Sequence, residues 1–189
     1  MNGYSFDPAR VFRKLARNNA LANQRLHAGC ARLVAGELEA PGVSFFPSIR
    51  ATLNHILILD WFYVDALEGG TLGPTAWADA EPFLDLPSLT RAQRAVDLRL
   101  LALCEALNAD ALAATVRVHR ATRIQEDRCD DILSHLFQHQ THHRGQAHAM
   151  LSGTSVRPPQ LDEFIAADDA AMRADDIAAF GWTEADVMR

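Results

Sequence analysis

Residues 130–151 read DDILSHLFQHQTHHRGQAHAML and predict a long helix. An apolar stripe recurs along this segment at steps of three and four residues, and it comprises Ile132, Leu136, His139, His143, Ala147 and Met150. His139 and His143 therefore stand where a core helix ordinarily carries leucine. Because residues four apart lie one above the other on a helix, both imidazoles can reach the same point in the core.

Three more long helices are predicted upstream of this segment. The first begins at Asp7-Pro8, a capping carboxylate followed by proline at the first helical position, and ends before Pro41-Gly42. Two asparagines on or near its apolar stripe, Asn19 and Asn23, are unusual for a face that only packs. The second helix spans about 49–68, and the third spans about 89–107.

The connections are shorter and less regular. A linker is predicted over about 71–87, with Trp77 and Phe83 as its apolar anchors. Apolar and polar residues alternate within 115–126, a pattern that allows a short hairpin. After Pro158-Pro159 an acidic amphipathic segment runs to about Phe180, and the last residues, 181–189, can add one turn.

The fold predicted from these elements is all-α. Alanine and leucine dominate the apolar residues, which make up 49% of the 189-residue chain, and this balance favours helix over sheet. Four long helices with short connections indicate a four-helix bundle with a short additional C-terminal helical segment. The length fits one domain spanning residues 1–189.

The charge and cysteine content exclude several classes of protein. The formal net charge of −6 is spread along the chain, and no basic cluster predicts a nucleic-acid partner. Three distant cysteines, Cys30, Cys104 and Cys129, argue against a disulfide framework. The longest apolar run, near 56–64, is interrupted by Asp60, so no membrane span is expected. Without a signal peptide at the start of the chain, a cytoplasmic location is expected.

A metal ion shared by His139 and His143 needs a third ligand, and His55 is the best candidate. This residue lies on the second helix, on a face that also carries Leu59 and Phe62. Helical bundles build metal sites from side chains on facing helices. A single histidine on an apolar face is more often a core residue hydrogen-bonded to a neighbour, but two adjacent buried imidazoles both need partners, which favours a metal site.

The other five histidines are predicted to lie outside the ligand set. His135 is on the same side of the helix, but about 12 Å of helix separates it from His143, so a supporting or structural role is expected. His142 flanks the stripe, where it can hydrogen-bond a neighbour on the helix. The remaining three are interpreted as ordinary histidines: His27, His119 and His148.

The donor set also limits the kind of metal site. The glutamate that follows the first zinc ligand of a zinc protease is absent, and no paired Glu-x-x-His elements indicate a ferritin-like di-iron site. Cys129 lies too far before His139 to close a structural site. Three neutral ligands leave open positions, which is typical of catalytic zinc. Imidazole suits several divalent metals; zinc is favoured, with nickel as the alternative.

The helix at 139–146, HQTHHRGQ, resembles the signature helix of the DinB family of damage-inducible, YfiT-like metalloenzymes. Residues 46–57, FPSIRATLNHIL, are similar to a second family segment, and weaker similarity extends to 19–26 and to the turn at 159–162. The resemblance implies a four-helix bundle of DinB topology, often dimeric, with a divalent metal on a histidine triad. Carried over to this sequence, the triad is His55, His139 and His143.

The function implied is that of a metal-dependent enzyme acting on a small molecule. Some family members are similar to thiol transferases that use mycothiol, bacillithiol or glutathione, so a thiol-dependent transferase or a hydrolase is expected, with a low-molecular-weight thiol as a candidate partner. A non-catalytic metal-binding stress-response protein is the main alternative, and a bundle whose histidines contact an organic anion is another. The loop between the third and fourth helices does not match well enough to imply a substrate.

Catalytic residues other than the triad are not assigned from the sequence. Asp60, Asp65, Glu126 and Asp131 are candidates for a base or a supporting role, and each is interpreted as a solvated helix charge. Arg144 could pair with an anionic substrate, but it points away from the stripe and is interpreted as part of a structural ion pair.

A homodimer is also predicted. The fourth helix is apolar on its reverse side, at Leu133, Phe137 and Leu151, and the second helix is apolar nearly all round. A single bundle is not expected to bury both surfaces, which favours a two-fold assembly.

Overall fold

The computed structural model describes residues 6–189. Residues 1–5, which begin the segment interpreted above as lacking a signal peptide, lie outside the described residues. The described chain is mostly helical. The helices and strands, in chain order, are α1 (Arg10–Cys30), α2 (Ile49–Leu67), α3 (Leu86–Glu105), α4 (Ala109–Ala113), β1 (Thr115–His119), β2 (Ile124–Arg128), α5 (Cys129–Leu151), α6 (Ala174–Phe180) and α7 (Glu184–Met188). Two 3₁₀ helices complete the set, Gly73–Trp77 and Ala167–Arg173.

Local capping explains where α2 and α3 begin. The Ser48 side chain accepts a hydrogen bond from the Ala51 backbone N–H at 3.1 Å, which satisfies one of the free donors at the start of α2. The Asp85 carboxylate does the same for the Ser88 N–H at 2.8 Å. This cap starts α3 three residues before the predicted position, and α2 has nearly the predicted bounds.

The predicted end of the first helix is wrong. α1 ends at Cys30, and residues 31–48 form turns instead of continuing to Pro41. Within these turns the Glu37 carboxylate accepts hydrogen bonds from the Val34 N–H at 3.1 Å and from the Ser155 N–H at 2.7 Å. These hydrogen bonds satisfy backbone N–H groups without a continued helix, and they hold the segment against the chain that follows α5.

The hairpin allowed by residues 115–126 is present, so the fold is not strictly all-α. β1 and β2 pair antiparallel, with Thr115 opposite Arg128 and His119 opposite Ile124. Val116 and Val118 are buried on one face, whereas Arg117 between them is exposed. The alternation therefore reflects a two-stranded sheet with one face against the helices.

The long helices pack in pairs around one large apolar core. α1 contacts α3 and α5, and α2 contacts α5 and α3, while the hairpin covers α2 and the start of α5. The two predicted linker anchors contact α2, since Trp77 packs against Phe62 and Phe83 packs against Trp61. The C-terminal segment packs on α1 in a second, smaller cluster formed by Leu21, Ala22, Phe164, Ile177 and Val187.

The apolar surfaces that suggested a homodimer are buried within one chain. Leu133 and Leu151 are completely buried, and Phe137 is 7% exposed. The argument for a dimer from unburied apolar faces is therefore wrong, and the homodimer itself stays a prediction.

None of the helices in residues 6–189 combines the length and the apolar character that crossing a bilayer requires.

Candidate metal centre

His55 on α2 meets His139 and His143 on α5. The ring centroids lie 4.4 Å apart for His139 and His143, 4.5 Å for His55 and His143, and 5.0 Å for His55 and His139. One ring nitrogen of each lies within 4.8 Å of the other two. Two nitrogen ligands of a tetrahedral zinc are about 3.4 Å apart, and the Nε2 atoms of His55 and His139 are 3.1 Å apart. The three histidines are therefore close enough to hold one metal ion.

The triad is held in its neutral form. Burial, followed by the charge of the neighbouring His143, lowers the pKa of His55 to about 4. Burial, followed by the charges of nearby histidines, lowers the pKa of His139 to about 3. The pKa of His143 is also lowered, mainly by burial. Because only a neutral imidazole offers a lone pair to a metal, all three can act as ligands at neutral pH.

Gln146, one turn beyond His143, sets the orientation of that ring. Its Oε1 lies 2.8 Å from His143 Nδ1, and its Nε2 lies 3.1 Å from His142 Nε2. When Oε1 accepts from Nδ1–H, the lone pair of His143 is left on Nε2. Hydrogen bonds of this kind to the other ring nitrogen are usual for metal-binding histidines. His142 thus bonds a neighbour on its own helix, as predicted.

His139 is not an ordinary core histidine satisfied by its neighbours. Its Nδ1 is buried and has no hydrogen-bond partner among the described residues. A buried polar atom left in this way carries a desolvation cost that a histidine with a purely packing role would avoid. The all-imidazole donor set fits a divalent metal ion at the triad, and the ion would lie on the Nε2 side of His139, because Nε2 is the nitrogen that faces His55.

A phenylalanine from the turn before α2 covers one side of the triad. The Phe46 ring centroid lies 4.3 Å from that of His55 and 5.6 Å from that of His143. Its neighbour Phe45 is 80% exposed and packs edge-on against it at 4.9 Å. The triad therefore lies beneath an aromatic cover that limits access of water from this side.

A buried polar network lies beside the triad, and it corrects the interpretation of Asp60 as a solvated charge. Asp60 is only 1% exposed. It accepts a hydrogen bond from Gln93 Nε2 at 2.7 Å and another from Gln140 Nε2. Asp97 is also buried and accepts from Gln93 at 3.1 Å and from Asn23 at 2.9 Å.

Arg144 is the cation of this network, and it explains the two asparagines of α1. Its Nη1 donates to Asn19 Oδ1 and, at 3.1 Å, to Asn23 Oδ1. Burial lowers the pKa of Arg144 to about 10 but leaves it charged at neutral pH. The guanidinium is thus structural, and amide groups rather than a direct ion pair connect it to the carboxyl groups.

Both carboxyl groups lie within range of the Arg144 charge, and Asp97 also lies within range of the Arg94 charge. Burial raises the pKa of Asp60 well above its usual value, and the nearby Asp97 raises it further. Burial also raises the pKa of Asp97, to about 6. Since Gln140 and Arg144 directly follow His139 and His143 in sequence, this network fastens the ligand-bearing turns of α5 to α2 and α1.

The other predicted candidates lie away from the triad. The Asp65 carboxylate accepts from the Leu72 N–H at 2.7 Å, whereas Glu126 and Asp131 are exposed. None of these three has a hydrogen bond to the triad. The three cysteines are buried and unpaired.

The histidines outside the triad have separate surroundings. His27 is buried and bonds Thr90 Oγ1 through Nδ1 at 2.9 Å, and His148 bonds the Pro159 carbonyl at 2.8 Å. His119 ends β1, and it is half-buried. His135 is exposed and lies one turn from the triad, with its ring centroid 6.3 Å from that of His139.

Comparison with known proteins adds two findings. The family model described as the DinB family matches residues 6–175. Among solved structures, a DinB-like protein from Bacillus subtilis aligns with a TM-score of 0.56 at 11% identity, covering 78% of this chain and 96% of that one. At this identity the structural match shows a shared fold alone. No curated protein matches the chain.

Proposed function

Because this chain belongs to the DinB family, we propose that it is a bundle of DinB topology that binds one divalent metal through His55, His139 and His143. The activity we propose is that of a metal-dependent and thiol-dependent transferase acting on a small molecule. The observation that carries the proposal is the donor set. Three neutral imidazoles from two helices converge, and no cysteine or carboxylate of the described residues joins them. Such a set leaves coordination positions for a substrate.

Zinc is the metal we favour, with nickel as the alternative, since imidazole binds both. A bound divalent ion of this type lowers the pKa of a thiol or a water molecule, which makes the anion available as a nucleophile at neutral pH. The protein keeps its three histidines neutral, orients His143 through Gln146 and shields the triad with Phe46. Buried Asp60 and Arg144 hold the helices and do not face the triad as a base.

The nucleophile proposed is the thiol of a small molecule. The three cysteines are buried and unpaired, and burial raises the pKa of Cys30 and of Cys104 to about 12. They are therefore poor nucleophiles, and the attacking group has to arrive with the substrate. Hydrolysis through water is the related alternative. A non-catalytic metal-binding role is the second candidate, and the absence of a base hydrogen-bonded to the triad in residues 6–189 favours it.

Cobalt substitution tests the proposal. Untagged protein is analysed for its metal content, loaded with cobalt and titrated with glutathione, bacillithiol and cysteine while the visible and near-ultraviolet spectrum is recorded. We expect thiolate-to-cobalt charge-transfer bands in the wild type and none in His143→Ala. His148→Gln, which changes a histidine of the same helix outside the triad, should keep them. Intact cobalt binding without a response to any thiol would contradict the thiol-dependent reaction.

A further inference from the structure

Arg120 is a half-buried cation fixed beside α2 at the turn of the hairpin. Its Nε donates to Gln125 Oε1 at 2.9 Å, and its Nη2 donates to the Tyr63 hydroxyl at 3.3 Å. The centre of the guanidinium lies 4.9 Å from the Phe62 ring centroid and 5.8 Å from that of Tyr63. Two aromatic faces and two hydrogen bonds thus hold it in one place.

The charge of Arg120 is not neutralised by the protein. No carboxylate of the described residues lies within ion-pair distance of it, and its Nη1 donates no hydrogen bond to them. The carboxylate of Asp127 instead bonds Gln125 Nε2, which turns the Gln125 oxygen towards Arg120. A preorganised guanidinium with unused donors is suited to a planar anion such as a carboxylate, which it can bind through two hydrogen bonds.

A series of ring contacts connects Arg120 to the triad. The Tyr63 ring centroid lies 5.2 Å from that of His135, and the His135 centroid lies 6.3 Å from that of His139. Along α2, Tyr63 is eight residues beyond His55, which corresponds to about 12 Å of helix. Arg120 and the triad therefore lie along the same α2–α5 side, at a separation that a tripeptide-sized molecule can span.

We propose that Arg120 binds the carboxylate of a small thiol whose sulfur is held at the histidine triad. The proposal rests on the proposed function and adds the substrate class: a low-molecular-weight thiol that carries a carboxylate at its far end. Tyr63 and Gln125 act as positioning residues for the guanidinium, and exposed His135 lies between the two ends, in ring contact with Tyr63 and His139. The shared chemistry is a thiol and a carboxylate in one molecule.

The test compares two thiols that differ only in charge. Cobalt-loaded protein is titrated with glutathione and with its dimethyl ester, in which both carboxylates are blocked, and dissociation constants are taken from the thiolate band. We expect the wild type to bind glutathione about tenfold more tightly than the ester, the equivalent of one good charge-assisted interaction. In Arg120→Gln this ratio should fall to near one, with the affinity for the ester unchanged.

A matched variant separates a local effect from general electrostatics. Arg123→Gln removes the same charge from the same turn, but its side chain is exposed and has no hydrogen bond to the described residues. It should keep the preference for glutathione. Circular dichroism and the thermal midpoint establish that Arg120→Gln retains the hairpin. Equal binding of both thiols by the wild type, or an undiminished preference in Arg120→Gln, would overturn the proposal while leaving the proposed function intact.

A second pair of probes keeps the two proposals separable. If neither thiol gives a cobalt band, the thiol-dependent function fails, and two hydroxamates of equal length are compared, one ending in a carboxylate and the other in an amide. An Arg120-dependent preference for the carboxylate would support the anion site without the thiol. No such preference would overturn it.

Discussion

At the scale of single residues, the candidate metal centre depends on how each imidazole is oriented and kept neutral. His143 has a defined partner for its second nitrogen, because Gln146 Oε1 lies 2.8 Å from Nδ1. His139 has none for Nδ1. The three histidines are therefore not equivalent, and substitutions beside them should separate orientation from ligation.

Gln146→Ala should weaken metal binding while leaving the three histidines in place. The His143 ring would lose the hydrogen bond that fixes its tautomer, and losses of this type are typically about 10- to 100-fold in affinity. The measurement is a competition titration against a chromogenic chelator. Gln138→Ala, which alters an exposed glutamine of the same helix, serves as the control. An unchanged dissociation constant for Gln146→Ala would show that Gln146 does not orient the ligand.

His27 should make the stability of the protein depend on pH, independently of any metal. Burial lowers the pKa of His27 to about 4. Below pH 6.5 the unfolded chain therefore takes up a proton that the folded chain refuses, and stability falls as the pH falls towards 4. The loss for this one group approaches about 3 kcal/mol over that range.

The comparison is between the wild type and His27→Asn. Asp97, whose pKa is raised to about 6, titrates in the opposite sense: its folded form holds the proton more tightly, so its contribution to stability rises as the pH falls from 6. Both proteins contain Asp97, so the difference in their free energies of unfolding between pH 7 and pH 4 isolates His27. A difference that does not vary with pH would contradict the assignment.

At the scale of helices and strands, the ligand-bearing turns of α5 are positioned by a buried network. Gln140 bonds Asp60 of α2, and Arg144 bonds Asn19 and Asn23 of α1. Three helices are therefore joined through polar groups that have no access to water. Removal of one member of such a network strongly destabilises the folded state, because each deleted partner leaves another buried group without a hydrogen bond.

Arg144→Leu and Asp60→Asn should have unequal effects on folding. Removal of the guanidinium deletes a charge that acts on two buried carboxyl groups and leaves the Asn19 and Asn23 oxygens without their donor, at an expected cost of about 3–5 kcal/mol. Asp60→Asn should cost only about 1 kcal/mol. The raised pKa of Asp60 already favours its neutral form, and the Oδ1 atom of the new asparagine can still accept from Gln140 Nε2. Urea unfolding at neutral pH gives both values, and equal losses would contradict this account.

At the scale of the whole molecule, a metal at the triad would tie α2 to α5. Such a ligand binds the folded chain and stabilises it by about 2.7 kcal/mol when the free metal is at 100 times its dissociation constant. For a chain of this size, that corresponds to a thermal midpoint about 5–10 °C higher. Addition of a chelator should reverse the shift in the wild type and have no effect on His139→Ala. Identical melting with and without chelator would exclude a stabilising metal at this position.

The state of assembly is a separate property of the whole chain. The apolar faces first thought to need a partner are covered within one chain, so a dimer would have to use other surfaces. Val43 and Phe45, in the segment before α2, are fully or largely exposed. Light scattering over a wide concentration range measures the mass directly, and the monomer mass throughout would reject the predicted homodimer.

Local patterns were sufficient to locate the long helices, apart from the end of the first, and to select the three histidines that the structure brings together. The spacing of His139 and His143 within an apolar stripe could be recognised from the sequence because both residues lie on one helix, and helical periodicity depends only on neighbouring residues. The caps at Ser48 and Asp85 act within one turn, which is why α2 was predicted closely and α3 to within three residues. His55 could be proposed because its own helix is apolar on several sides.

The structural features that local patterns did not predict depend on contacts between residues that are distant in the sequence. α1 stops at Cys30 because the following turns find partners such as Ser155, more than a hundred residues away in the sequence. In the sequence Asp60 has the pattern of a surface charge, but in the structure it is buried against Gln93 and Gln140. Arg120 contacts α2 only because the hairpin folds onto that helix. A polar side chain is solvated, buried or left with free donors according to which surfaces of the molecule pack together. The spacing of residues along the chain does not determine that packing.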